Sequence, residues 1–189
     1  PPLLDDQFSQ FDEKRNPTLN HCEYALFLLE ENEKVIGRIA AFIDRLALET
    51  WKEPIGLFGY YECISDTKAS NILLETAETW LRNKGMTKMR GPWSFISQEW
   101  GLVVEGFKPS PVVMAPYNPP YYINQITSFD LKKVKDLLVY YISARDGYVI
   151  PARILNLTDD VVKRYGIHVR QLDMKNYDKD VQIVIELSN

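Results

Sequence analysis

GLFGYYECISDTKASNILLETAETWLRNKGMTKMRG, residues 56–91, reads as strand, turn, helix, strand, and its reading decides the fold. Residues 57–64 form a short aromatic and aliphatic run. Ala69, Ile72, Leu73, Ala77, Trp80 and Leu81 then recur at helical spacing, and Gly85 stops the helix. Ser65 or Asp66 serves as N-cap, so the helix spans about residues 67–84. Residues 86–90 form another strand, which a crossover of this kind joins in parallel to the one before it. Such a unit brings the carboxyl end of a strand to the amino end of a helix, where free backbone N–H groups favour an anion. Lys68, Ser70, Asn71 and the backbone around Ser65 are the groups that would contact one.

Upstream, residues 24–29 and 35–45 are β-prone runs separated by the charged segment 30–34, a pattern for an antiparallel hairpin. Both faces of the second run are largely apolar, which suits a central strand covered on both sides. Residues 1–20 are polar and punctuated by proline, and make a short helix or an irregular arm. Residues 46–54 connect the hairpin to the next strand. The long stretch 91–120, rich in Gly and Pro, has the length of a lid, a binding loop or a covering flap. It carries the apolar pieces 102–107 and 112–115. A helix over 121–128, opened by Pro119 and Pro120, and a strand over 137–143 follow. After Arg145 the pattern restarts with helix 151–165, its stop at Gly166, a strand-like 168–174 and helix 179–187. The fold class is α/β (α+β), with a mixed, mostly antiparallel central sheet flanked by helices. The boundary falls near Asp146, giving one domain over 1–146 and a linker helix with the start of a second unit over 147–189.

A chain of 189 residues is long enough for one domain with a sizeable core. Its net charge of -4, with acidic and basic residues interspersed, does not offer the clustered Lys and Arg that nucleic-acid phosphates require. No apolar run approaches the ~20 residues needed to span a bilayer, so no membrane partner is expected. Cys22 and Cys63 form no CxxC motif and have no metal-ligand spacing to His21 or His168. A reducing, cytoplasmic setting without a structural zinc is the simplest reading.

The order of elements, together with EYALFLLEENEKVIGRIAAFIDR, IGLFGYYECISD, LLETAETWLRNKGMTKMRGPWSF, GLVVEGF and PYNPPYY, resembles the GNAT superfamily of N-acetyltransferases. More specifically, it resembles the N-terminal part of bacterial GNAT-like proteins of uncertain function. The resemblance covers most of residues 16–141. It implies a sheet whose central strands splay apart, with acetyl-CoA or another acyl-CoA in the gap and the pyrophosphate on the helix after Ile64. Ile64, Ser65, Lys68, Ala69, Ser70 and Asn71 would then line the cofactor. The family usually carries Gln or Arg, two residues, Gly, one residue, then Gly or Ala in this turn. Here the turn is ISDTKASN, without the glycine that lets a backbone approach phosphate closely. The stretch HVRQLDMKNYDKDVQIVIELSN is similar to the first strand and helix of a further GNAT fold. The chain therefore reads as a fragment of a tandem protein, lacking the first strand of one unit and most of the other, with that second GNAT-like unit as its partner.

Acyl transfer to an amine needs a base for the amine proton and an acid for the departing thiolate. Glu62, near the carboxyl end of the third strand and on the side shared with Phe58, Tyr60 and Ile64, is the candidate base. Its alternative is a strand-end carboxylate meeting solvent or an arginine such as Arg90. Tyr122, and after it Tyr121, matches the tyrosine that many family members use as the acid; the alternative is packing on a proline-rich turn. Trp93, Phe95 and Trp100 are either an aromatic wall for an acceptor or anchors for a long loop. Cys63 reads as a small buried hydrophobe, and His21 and His168 as surface or interface residues. The implied reaction is transfer from acyl-CoA to a small-molecule or peptide amine. A non-catalytic, ligand-binding or structural half of a tandem protein is the alternative.

Overall fold

Asn32 and Glu33 both adopt positive φ, at 49° and 63°, and a two-residue turn of this kind matches the twist of an antiparallel hairpin. It joins β1 (Cys22–Glu31) to β2 (Lys34–Asp44) in the computed structural model, which describes residues 4–96, 100–108, 111, 115–140, 143, 145, 147 and 149–188. Ahead of the hairpin lie α1 (Leu4–Gln10) and a short 3-10 helix, Pro17–His21, whose start is capped by Asn16. Past β2, Asp44 Oδ1 accepts hydrogen bonds from the amides of Leu46 and Ala47 and thereby opens α2 (Arg45–Trp51) inside the expected connection.

The decisive stretch forms β3 (Ile55–Cys63), α3 (Thr67–Asn83) and β4 (Lys88–Trp93). β3 is antiparallel to β2 and parallel to β4, giving a four-stranded mixed sheet in the order β1-β2-β3-β4. Asp66 is the N-cap of α3, and Gly85 at φ 86° takes the left-handed conformation just beyond its end. The buried face of α3, with Ala69, Leu73, Leu74, Ala77 and Leu81, packs with Ile39, Ala41, Phe58 and Cys63 of the sheet. α4 (Tyr121–Ser128) joins this core through Tyr122 and Ile126. Ala40, Phe42 and Leu57 point to the other face, where Phe11, Tyr24, Tyr60, Trp93 and Phe95 cover them. The second strand is thus buried on both sides, one by helices and the other by aromatic side chains.

β3 carries one residue more than its neighbour accommodates. Arg38 pairs with Glu62 and Ala40 with Gly59, so β3 advances an extra residue between the two pairs, and Tyr60 sits there at φ 48°. This is a bulge, and it shifts which residues share a face. Phe58, Tyr61 and Cys63 face α3, while Leu57 and Tyr60 face the aromatic side. Glu62 therefore does not share a side with Phe58, as strict alternation would have it. β4 follows β3 only from Ile55 to Gly59, and the last pair is Gly59 with Trp93.

Beyond α4 the expected strand over 137–143 is not seen among the described residues: 137–140 have no ladder partner, and Val139 is 90% exposed. Tyr141 and Ile142 lie outside the described residues, as do 112–114 of the apolar piece 112–115. The chain divides into two compact units, Pro1–Lys135 and Asp136–Asn189. In the second, α5 (Ala152–Tyr165) ends on Gly166 at φ 61°, and a 3-10 turn, Met174–Asn176, leads into α6 (Tyr177–Ser188). Residues 168–173 do not form the expected strand. Instead of a neighbouring strand they meet α6: Arg170 donates two 2.6 Å bonds to Asp180, which also accepts from the Asp173 amide. This pairing holds the Asp180 carboxyl well below the usual range.

A Cβ placed on Gly59 would lie 1.6 Å from the Trp93 carbonyl oxygen, and backbone has no rotamer with which to yield. Gly59→Ala is expected to destabilise the protein by about 3 kcal/mol, the upper end of the usual cost of overpacking. Urea denaturation of the full-length protein measures it. An unchanged midpoint would contradict so close an approach.

Candidate functional site

Because β4 leaves β3 at Gly59, the Tyr60–Cys63 half of β3 has no strand beside it on that edge among the described residues, and its backbone groups need other partners. α4 supplies them. The Cys63 amide donates to the Tyr122 hydroxyl oxygen at 3.1 Å, and the Tyr121 hydroxyl donates to the Cys63 carbonyl at 3.1 Å. Gln125 Nε2 donates to the carbonyls of Ile64 at 2.7 Å and Asp66 at 3.2 Å. The Tyr61 hydroxyl completes the cluster, donating to Gln125 Oε1 at 2.8 Å and lying 2.7 Å from Ser70 Oγ. Burial pushes the phenols of both Tyr61 and Tyr122 up, so both are protonated at neutral pH. The Tyr122 oxygen accepts from the backbone and leaves its own proton available, which is the state a general acid requires.

Glu62 makes no hydrogen bond within this cluster, although its charge adds to the upward push on the Tyr122 phenol. Its side chain is 64% exposed and receives a 2.7 Å bond from Arg38 Nη2, its cross-strand partner, rather than from Arg90. No hydrogen bond joins Glu62 to Tyr122 among the described residues. Arg90 instead stands over the Trp51 ring, 5.1 Å from its centroid.

The six residues expected around an anion are divided by the helix start. Ile64, Ser65 and Lys68 are exposed, Ala69 and Ser70 are buried against the core, and Asn71 is partly buried with its Oδ1 unpaired. The amides of Lys68 and Ala69 donate to Asp66 Oδ1 at 2.7 and 3.3 Å. A carboxylate of the chain thus already sits where an external anion would be bound.

On the opposite face of the sheet, a cavity of about 190 Å³ is bounded by Phe42, Trp93, Phe95 and Trp100, with Cys22 and Asp44 among its polar lining. Trp93 and Trp100 stack at 4.0 Å and 21°, and Trp100 Nε1 donates to the Ser94 carbonyl. These rings act as anchors for the loop and as cavity wall at once. Beside the cavity, His21 Nδ1 is 2.9 Å from Asp44 Oδ1 and 3.9 Å from Cys22 Sγ. Burial, then the Asp44 charge, pushes the Cys22 thiol up to about 12. His21, Cys22 and Asp44 are the residues here that could hold a metal.

Sequence reasoning missed Gln125, Asn118 and Asp44. Gln125 follows Tyr122 by nearly one helical turn, a spacing that would have placed it on the same face. Asn118 accepts from the Val103 amide at 2.7 Å and donates to its carbonyl at 3.2 Å, pinning the long connection to PYNPPYY as a neighbouring strand would.

These elements define an α+β domain whose parallel crossover opens on one edge of its third strand, with a two-tyrosine helix on that edge. The chain is 32% identical over its whole length to protein YghO of Escherichia coli (strain K12) and 34% identical to the bacterial ceramide synthase of Caulobacter vibrioides (strain NA1000 / CB15N). It covers 48% and 49% of those proteins, and so spans about half the length of the curated relatives it matches. No protein-family model matches the chain, and no solved structure does. No helix among the described residues is long and apolar enough to cross a membrane.

Tyr122→Phe removes the acceptor of the buried Cys63 amide, and an unpaired buried donor costs about 1–3 kcal/mol. A stability loss in that range is expected in chemical denaturation, with Tyr121→Phe costing less because Tyr121 is only partly buried and an under-satisfied carbonyl is tolerated more readily than an orphaned N–H. Equal stability of Tyr122→Phe and the parent would show that the edge bond contributes nothing.

Proposed function

We propose that the chain is part of a GNAT-like, acyl-CoA-dependent N-acyltransferase. The observation that carries this reading is the open edge of β3. Its Cys63 N–H and C=O, now met by the hydroxyls of Tyr121 and Tyr122, offer the donor and acceptor with which an amide-bearing acyl-pantetheine arm pairs as a strand would. Similarity over the whole chain to a protein named bacterial ceramide synthase supports it. A ceramide is an N-acylated long-chain amino alcohol, so the reading here is an aliphatic amine as acceptor.

In this reaction the amine nitrogen attacks the thioester carbonyl, the C–N bond forms and the C–S bond breaks. Tyr122, kept protonated by burial, gives its proton to the thiolate. Glu62 takes the amine proton once its bond to Arg38 is released. The cofactor's anionic end would lie at Ser65, Lys68 and Asn71, where it replaces the Asp66 carboxylate at the helix amides. The edge tyrosines yield their backbone bonds to the arm as it enters. A second unit of similar fold in the same longer chain completes this reading of a tandem protein.

A second reading, a non-catalytic half that retains the fold, is favoured by one observation: Asp66 fills the anion position of α3, and the turn before it has no glycine. Both readings meet the same experiment. Full-length protein incubated with acyl-CoA and a long-chain aliphatic amine is expected to release free thiol and form the N-acyl amide detected by mass spectrometry. Tyr122→Phe should lower kcat on the order of 10²-fold, the lower range for loss of a general acid. Full turnover in the Glu62→Gln, Tyr122→Phe double variant would assign the chemistry to the other unit. No amide and no CoA binding by calorimetry would overturn the acyltransferase reading altogether.

A further inference from the structure

We propose that His21, Cys22 and Asp44 form a binding site for one divalent transition-metal ion of the zinc class. The three donors, an imidazole nitrogen, a thiol sulfur and a carboxylate oxygen, lie within 4.8 Å of one another. Tetrahedral zinc bonds of about 2.0–2.3 Å place ligand atoms roughly 3.5 Å apart, so side-chain adjustments alone bring these donors onto one ion. Nitrogen with sulfur is the donor mixture that selects zinc over magnesium or calcium.

The scaffold under the donors is rigid. Cys22 and Asp44 are cross-strand partners at the first pair of the β1–β2 ladder. His21 closes the 3-10 helix whose first turn is fixed by Asn16 and Pro17. Asp44 holds the amides of Leu46 and Ala47 with Oδ1 alone, so Oδ2 can bind a metal without uncapping α2. The present hydrogen bonds use the set poorly: Nδ1 is already engaged with Asp44 at 2.9 Å, and Cys22 Sγ reaches the same atom only at 3.9 Å. On metal binding the imidazole carries its proton on Nε2 and Nδ1 bonds the ion. The thiol proton leaves to solvent as the S–metal bond forms, and the carboxylate oxygen completes three protein bonds.

Three protein donors leave a fourth position, as in zinc sites that bind water or substrate. Here Cys22 and Asp44 border the cavity walled by Phe42, Trp93, Phe95 and Trp100, so that position lies beside an aromatic chamber able to take a small oxygen ligand. The spacing of the histidines and cysteines could not reveal the set, because Asp44 enters from another strand. The site lies on the opposite face of the sheet from α3 and stands independently of acyl transfer.

Calorimetric titration of metal-stripped full-length protein with zinc tests the site, with cobalt as spectroscopic probe. One zinc per chain is expected, with a thiolate-to-cobalt charge-transfer band in the cobalt form. Cys22→Ser should abolish the band, and Cys22→Ser and Asp44→Asn should each weaken zinc binding on the order of a hundredfold. Asparagine still caps α2 and serine nearly matches cysteine in size, so circular dichroism checks that both variants fold. No stoichiometric binding by the parent, or binding unchanged in folded variants, would overturn the proposal.

Discussion

The extra residue at Tyr60 is the constraint on which the sheet depends. Holding a non-glycine residue at positive φ costs on the order of 1 kcal/mol, and the surroundings compensate. The Tyr60 hydroxyl bonds Gln10 of α1 and accepts from the Phe95 amide, while its ring packs on Phe11 and Phe42. The N-terminal arm, the third strand and the loop after β4 therefore meet at one side chain. The bulge also turns Tyr61 and Cys63 toward α3, and that orientation lets Tyr61, Ser70 and Gln125 form a buried polar cluster with every hydroxyl partnered.

Much of the architecture was legible in the amino acids. The helical spacing from Ala69 to Leu81, a cap at Ser65 or Asp66 and Gly85 located α3 to within a residue, because those signals are local. The hairpin and α4 were readable for the same reason. What failed depended on distant partners. Residues 137–140 and 168–173 have β-prone side chains, but a strand exists only where another strand completes its ladder, and composition does not reveal that. The side on which Glu62 stands was misread because alternation assumes an unbroken period of two, and a single bulge resets it. Of the candidate site, Tyr122 was found in contact with the strand edge. The roles of Gln125 and Asp44 were invisible, since each bonds groups brought near only by folding.

The two faces of the sheet are built on different physical terms. The α3 face joins aliphatic packing to a few buried hydrogen bonds whose geometry is demanding. The opposite face is mainly aromatic, with Phe11, Phe42, Tyr60, Phe95 and the Trp51–Trp93–Trp100 series in mutual edge and stacked contacts. Ring packing of this kind buries large area per residue. It anchors Phe95 and Trp100, the described aromatic residues just after β4, to the sheet.

Asp66 occupies the amide donors at the start of α3 with a carboxylate of the chain itself. Any incoming anion must compete with a carboxylate that is covalently tethered beside the amides it would use, and a tethered group acts at a high effective concentration. Apparent affinity is then the intrinsic affinity reduced by the fraction of molecules whose carboxylate has swung away. Were an anion to bind there, one with several attachment points would compete with this tethered carboxylate better than free phosphate would.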